Sequence, residues 1–170
     1  MRKAIERYFV TNGREGVNTI LVDWSGGADT WNYLAASANT RLVGKQVAVL
    51  IHRLESHFQT NLRQKTTVIG FSLGGQAAGN AGFYYNQMRS KYRRKRSYCE
   101  KINKIIALDP AGPFFEGYNK DVRIDPTDGC HVQVRLASQL LTNWNLLRNQ
   151  NCFILTRSLV GHQVMHGIYY

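Results

Sequence analysis

The sequence predicts an α/β fold with a mainly parallel sheet, because strand-like and helix-like segments alternate along the chain. Short apolar runs with β-branched residues, bounded by turn signals, are typical of buried strands at 17–24, 66–71 and 102–108. Between them, apolar positions recur every three or four residues from Tyr33 to about Phe58, and a helix-like run of small residues extends from Leu73 to about Tyr85. This order implies crossover connections between parallel strands.

Length and hydropathy indicate a single domain without a membrane span. The chain has 170 residues, enough for one hydrophobic core, and a fourth strand is predicted around 131–135. Hydrophobic residues make up 44%, but no apolar run approaches the roughly 18 residues that a spanning helix needs. Residues 1–10 alternate charged and apolar groups and lack the apolar region of a secretory signal.

A basic segment carries much of the positive charge. The chain has 22 Lys and Arg against 11 Asp and Glu, a net charge of +11, and six of the basic residues fall between Arg89 and Arg96. Such a segment self-repels, which is typical of a solvated loop. Binding of anionic lipid or a heparin-like polyanion through Arg93–Arg96, and cleavage there by a protease, stay open. Nucleic acid is not expected, because no recognition motif accompanies the charge.

Cysteine and histidine patterns give few further constraints. Cys99, Cys130 and Cys152 permit at most one internal disulfide, whose pairing the sequence leaves open, and their spacing does not suit zinc. His52 and His57 lie on the first predicted helix, where surface positions are the ordinary interpretation.

The pentapeptide Gly70–Gly74, with the pattern G-x-S-x-G, predicts an acyl-transfer site. It lies between a predicted strand and a predicted helix, where a sharp turn lifts the hydroxyl of Ser72 clear of the backbone. Leu73 opens the helix, so its amide is placed to stabilise a developing oxyanion. The alternative is an ordinary glycine-rich turn.

A serine nucleophile also needs an acid and a base. Asp109 ends the third strand and is followed by a proline, which predicts a carboxylate at the same sheet edge as Ser72; capping of the next turn is the alternative. The base should follow in sequence, and the candidates are His131, His162 and His166.

A second acidic group occurs in the segment 120–128. Asp125 and Asp128 flank a proline-containing turn, and with backbone oxygens they could hold calcium, although an ordinary polar turn fits equally well.

These motifs together resemble the pancreatic-type triglyceride lipase family, which comprises animal neutral lipases and lipase-like phospholipases A1. The likeness covers roughly residues 17–134 and rests on ordered segments at 22–27, 39–44, 68–79, 108–113 and 122–128. It implies a partial α/β-hydrolase fold with helices on both faces of the sheet. It also implies a secreted protein of lipid catabolism that hydrolyses acylglycerol or phospholipid esters.

The resemblance assigns roles to particular residues. It implies Ser72 as nucleophile, Asp109 as its acid and the Leu73 amide as an oxyanion donor. No cofactor is needed for the chemistry, but Asp125 and Asp128, with backbone oxygens near Lys120 and Arg123, match the calcium position of family members. Calcium would brace this loop.

The chain also departs from the family pattern, and we expect it to be an incomplete domain. It begins after the family's His-Gly-Phe loop, its residues 135–170 diverge, and it ends before the family's catalytic histidine. Two hypotheses follow: a lipase chain shortened at both ends, with His162 or His166 as candidate substitutes for the base, or a lipase-fold protein that binds lipid or polyanion without catalysis. Substrate choice and oligomeric state are not readable from the sequence.

Overall fold

The computed structural model describes residues 17–28, 30–90, 99–136 and 152–157. Within these ranges one sheet has the strand order β1-β5-β2-β3-β4. The strands are β1 (Val17–Val22), β2 (Thr66–Phe71), β3 (Ile102–Leu108), β4 (Gly129–Arg135) and β5 (Cys152–Arg157). β2, β3 and β4 are mutually parallel, whereas β5 pairs antiparallel with both β1 and β2. Strands β1 to β4 therefore share one direction, and their last residues define the carboxyl edge and their first residues the amino edge.

Two long helices connect the strands, α1 (Tyr33–Phe58) and α2 (Leu73–Ser90). The side chain of Asn32 caps α1 by accepting a hydrogen bond from the Ala35 amide at 3.0 Å. Gly44 allows the helices to approach closely, because a Cβ there would lie 2.8 Å from the Ala77 carbonyl oxygen of α2.

Both helices cover the same face of the sheet. One core cluster combines residues of α1, α2, β1, β2 and β3, among them Val47, Ala81, Ile20, Val68 and Ile105. The short helical turn Leu62–Lys65 joins the end of α1 to β2. Because α1 runs toward the amino edge and α2 runs back to it from Ser72, both helices end at the amino edge.

The structure confirms the predicted fold class, an α/β fold with a mainly parallel sheet. The resemblance implied helices on both faces, whereas the two long helices of the described residues share one face, because both bury apolar residues in the same core cluster. The first three strands and α1 lie where the sequence placed them, while α2 continues five residues past Tyr85 and β4 begins two residues before His131. The sequence did not predict β5. That the chain forms one incomplete domain stays a prediction.

A disulfide joins Cys99 to Cys130, so the segment before β3 is bonded covalently to β4. This is the one internal bridge that three cysteines allow, and Cys152 lies in β5. No helix in the described part of the chain is both long and apolar enough to cross a bilayer.

Candidate active site

Ser72 occupies a strained turn between β2 and α2. Its φ of 53° lies in the left-handed region, which a residue with a Cβ adopts at a cost. The turn is tight enough that a Cβ on Gly70 would overlap the carbonyl oxygen of Gly74, so only glycine fits at position 70. The predicted strand, turn and helix are therefore present around Ser72, while its role as nucleophile stays a prediction.

Asp109 lies beside Ser72 at the carboxyl edge. The last residues of β2 and β3, Phe71 and Leu108, are register partners on adjacent parallel strands. The Ser72 amide donates to the Leu108 carbonyl at 3.0 Å, and the Ala111 amide donates to the Ser72 carbonyl at 3.1 Å. Asp109 also has a positive φ, 45°, and its amide donates to the Arg135 carbonyl at 2.6 Å. Backbone hydrogen bonds thus hold the candidate acid against the candidate nucleophile.

The backbone amide of Leu73 belongs to the first turn of α2. The first four amides of a helix have no acceptor within the helix, and the helix dipole favours negative charge beside them. The Leu73 side chain is fully buried, which fixes the position of this turn. Its predicted role as oxyanion donor is compatible with this geometry and stays a prediction.

Gln76, one helical turn after Ser72, positions the acid loop. Its side chain is 4% exposed; Nε2 donates to the Ala111 carbonyl at 2.7 Å, and Oε1 accepts from the Ile124 amide at 2.9 Å. It therefore joins α2 to the loop after Asp109 and to the acidic turn. Sequence reasoning missed this residue, although its place four residues after the serine, on the same helix face, was a signal.

Apolar side chains surround this edge of the sheet. A second core cluster contains Trp24, Leu73 and Phe115, with Tyr33 and Ala111 packed against it. The exposed apolar residues outside it include Trp31 (96% exposed), Leu34 (63%) and Phe114 (50%). The rings of Tyr33 and Phe114 lie 5.9 Å apart, which joins the start of α1 to the loop after Asp109. We call Trp31, Leu34 and Phe114 the apolar rim.

Comparisons with known proteins agree with this geometry. A family model described as Lipase matches residues 2–139. Pancreatic triacylglycerol lipases from Mus musculus and Homo sapiens are each 42% identical to the chain, over 118 and 120 residues. The chain belongs to the pancreatic-type lipase family. Pancreatic lipase-related protein 2 from Mus musculus is 38% identical over 120 residues. These matches cover 69–71% of this lipase chain but only 22–23% of each curated relative.

The histidines that the structure describes lie away from Ser72. His131 is exposed and pairs with Lys104 near the start of β4, whereas Ser72 follows the end of β2. His131 lies four positions before Arg135, the last residue of β4, a distance of about 13 Å along a strand. His52 and His57 lie in the last two turns of α1, at the amino edge. The remaining candidates for the base, His162 and His166, lie outside the described residues.

The acidic turn contains two carboxyl groups whose pKa values are shifted in opposite directions. Asp125 Oδ1 accepts from the Thr127 amide at 2.9 Å and its hydroxyl at 2.7 Å, and these hydrogen bonds lower the pKa of Asp125. Asp128 is 1% exposed, and its Oδ2 accepts from the Asp125 amide at 2.8 Å. Burial raises the pKa of Asp128 to about 7.

The donor chemistry of this turn suits calcium, because calcium prefers carboxylate and carbonyl oxygens. Arg123 lies beside it, with Nη1 3.8 Å from Asp125 Oδ2. No cluster of three or more His, Cys, Asp or Glu side chains within the described ranges suits a metal, so backbone oxygens near Lys120 and Arg123, together with water, would complete the coordination. Calcium binding stays a prediction. The basic segment Arg93–Arg96, predicted to bind polyanions, lies outside the described residues.

Proposed function

We propose that this chain carries the nucleophile and the acid of a lipase-type carboxylic ester hydrolase that acts on acylglycerols or phospholipids. The observation that supports this most directly is the left-handed φ of 53° at Ser72, between β2 and α2. Strained residues persist only where the surrounding structure holds them in place, and they cluster at functional sites. Membership of the lipase family supports the same reaction class.

In this proposal Ser72 Oγ attacks the ester carbonyl while a histidine takes its proton. The Leu73 amide stabilises the oxyanion, and Asp109 orients the histidine and stabilises its charged form. The histidine then donates the proton to the departing alcohol, and water releases the acid from the acyl-enzyme. Calcium at Asp125 and Asp128 would brace the loop after Asp109 and take no part in these steps.

The apolar rim supports a lipid substrate. Trp31, Leu34 and Phe114 expose large apolar side chains at the start of α1 and in the loop after β3, on the carboxyl side of the sheet. Burial of such surface against acyl chains is favourable by roughly 25 cal/mol per Å². The disulfide between Cys99 and Cys130 supports secretion, since disulfides persist in oxidising compartments.

A fluorescent alkyl phosphonate probe tests the nucleophile. We expect the folded chain to be labelled at Ser72, and Ser72→Ala to lose the label, with Ser90→Ala at the exposed end of α2 as the matched control. Asp109→Asn should slow labelling at least tenfold, because the histidine loses the group that orients it. Absence of labelling in folded protein would contradict catalysis by this chain.

The same assay identifies the base. His162→Ala and His166→Ala are compared with His131→Ala, which changes an exposed histidine near the amino edge. Loss of labelling in one tail variant, with His131→Ala unchanged, would assign the base. If all three variants keep the label, the proton acceptor is another group.

A second candidate function, lipid or polyanion binding without catalysis, is favoured by one observation: the described histidines lie away from the carboxyl edge while the apolar rim lies beside it. Sedimentation with phosphatidylcholine vesicles tests the lipid part. Trp31→Ala should weaken binding, whereas Phe58→Ala, which changes a residue 44% exposed at the end of α1, should not.

Heparin affinity tests the polyanion part. Binding to heparin should weaken as salt rises, and neutralising Arg93–Arg96 should remove it. Unchanged affinity in that variant would contradict a polyanion site there.

A further inference from the structure

A polar cavity lies at the amino edge of the sheet, away from Ser72. It has a volume of about 250 Å³. It lies between the last turn of α1, the turn Leu62–Lys65 that precedes β2, and the last turn of α2. Every residue that lines it is of a polar type, among them the charged Glu55, Arg63 and Arg89 and the neutral His52 and Asn61. β2 has six residues, so roughly 20 Å of strand separates this cavity from the candidate active site.

The carboxylate in this cavity is fully engaged by its neighbours. Glu55 Oε1 accepts from the Arg63 amide at 2.9 Å and from Arg63 Nη1 at 3.3 Å. Its Oε2 accepts from the Tyr85 hydroxyl and lies 3.7 Å from Arg89 Nη1. Burial, together with Glu55, raises the pKa of Tyr85 far above its usual range, so this hydroxyl keeps its proton and donates.

Positive charge remains in the cavity, and polar atoms without a hydrogen-bond partner are buried within the residues that line it. Two guanidinium groups face one carboxylate, which leaves a net charge of about +1. Among the residues that the structure describes, the buried Nε atoms of Arg63 and Arg89 and Nδ1 of His52 have no hydrogen-bond partner. The Arg63 side chain is only 3% exposed, so water in bulk does not compensate it. An unsatisfied buried donor is destabilising, and more so when it is charged.

The chemistry of these donors indicates an anion. Guanidinium groups present planar forks that match the oxygens of phosphate and sulfate, and their positive charge excludes a metal cation. The volume is below the roughly 300–1,000 Å³ of pockets for drug-sized ligands, so a small group fits best. Asn61 and His52 add neutral polar groups to the lining.

We propose that this cavity binds a tetrahedral oxyanion, a phosphate or sulfate group, either free or at the end of a larger molecule. Arg63 and Arg89 supply the charge, and His52 supplies a further hydrogen-bonding atom. This site is independent of ester hydrolysis, because it shares no residue with the carboxyl edge.

Calorimetric titration of the full 170-residue chain with inorganic phosphate tests the site. We expect saturable 1:1 binding that Arg89→Gln weakens about tenfold or more, as expected for loss of a charged hydrogen bond. Arg53→Gln is the matched control: it removes the same charge from an exposed position of α1 outside the cavity. Absence of binding, or equal weakening in both variants, would overturn the proposal.

A second variant should change the affinity for phosphate in the opposite direction. Glu55→Gln removes the carboxylate that competes for the two guanidinium groups, so phosphate should bind about tenfold more tightly. Arg63 is buried, and its replacement would disturb folding, so the variant that removes a guanidinium group is at Arg89, whose side chain is 28% exposed. Resonances of the Arg63 and Arg89 Nε–H groups should shift on phosphate addition; unchanged resonances would contradict binding in this cavity.

Three ligands then distinguish the source of the group. Inorganic phosphate, a sulfated disaccharide and vesicles containing phosphatidic acid are compared in the wild type and Arg89→Gln. Preference for the vesicles assigns a lipid headgroup, preference for the disaccharide assigns a sulfated polysaccharide, and equal affinity assigns a free anion. In each case the preferred ligand must lose affinity in Arg89→Gln; if none does, the proposed site is wrong.

Discussion

The carboxyl and amino edges of the sheet are held in place by different forces. At the carboxyl edge, Ser72 is fixed by backbone contacts: a glycine that tolerates no Cβ, and hydrogen bonds to the main chain of β3 and its following loop. At the amino edge, Glu55, Arg63 and Arg89 are fixed by charge and by hydrogen bonds between side chains. The first arrangement fixes the position of one serine, whereas the second leaves guanidinium groups that can bind an anion.

This difference predicts how each edge responds to mutation. Where backbone atoms are in contact, neither partner can move aside, so an added atom should disrupt the local fold. Where side chains meet, a lost charge leaves its partners unsatisfied, and a bound anion can partly replace it. The two edges should therefore differ in whether a ligand rescues a damaging substitution.

The largest expected effect is that of Gly70→Ala at the carboxyl edge. The new Cβ would overlap the Gly74 carbonyl oxygen, so β2 and α2 must separate. We expect a loss of more than about 4 kcal/mol in the free energy of unfolding, measured by urea denaturation, and loss of phosphonate labelling. Gly26→Ala is the control, since a Cβ at Gly26 would have no neighbour within 4 Å. Similar stability of the two variants would contradict a backbone-determined elbow.

Glu55→Gln probes the amino edge and should have the next largest effect. Loss of the buried carboxylate leaves two guanidinium groups without a counter-charge, which costs about 4 kcal/mol. Urea denaturation with and without phosphate measures this cost, and phosphate should restore part of it. Glu116→Gln changes an exposed glutamate and should have no effect. If phosphate rescues Gly70→Ala equally well, the contrast between the edges is wrong.

The sequence predicted the carboxyl edge better than the amino edge for a physical reason. The strained turn requires glycine at fixed positions around Ser72, so a short motif identifies it. Glu55 and Arg89 are 34 positions apart in the sequence and meet only because α1 packs on α2. No local pattern marks such a pair.

The strand β5 illustrates the same limit. Its sequence, CFILTR, is compatible with a strand, but nothing local places it between β1 and β2. That position depends on pairing with strands more than 80 residues earlier in the chain. The shared direction of β1, β2 and β3, in contrast, followed from the alternation of strands and helices.

Asp128 offers a third test, because its buried carboxyl group accepts from the Asp125 amide, whereas that of Glu55 accepts from a guanidinium group. Its pKa of about 7 in the folded chain exceeds the usual 3.8, so between these values the folded chain binds a proton that the unfolded chain does not. Stability should therefore fall as pH rises from 4 to 7, by on the order of 3 kcal/mol. Denaturation in a chelator measures this slope.

Matched variants assign the slope to Asp128. Asp128→Asn keeps an oxygen that can accept from the Asp125 amide, and it should lose the pH dependence, whereas Asp121→Asn should keep it. Calcium added at pH 8 should stabilise the wild type and not Asp128→Asn, because a cation replaces the missing proton. A wild type whose stability is independent of pH over this interval would contradict the raised pKa.

The smallest expected effect returns to the carboxyl edge and concerns the strain at Ser72. Because φ is 53° there, a residue with a Cβ is strained at this position, whereas glycine is not. Ser72→Gly should therefore be about 1 kcal/mol more stable than Ser72→Ala, and both should lose phosphonate labelling. The alanine variant is the control, since it removes the same hydroxyl but keeps the Cβ. Equal stability of the two variants would mean that the elbow stores no strain, and the carboxyl edge would then lose the backbone constraint that separates it from the amino edge.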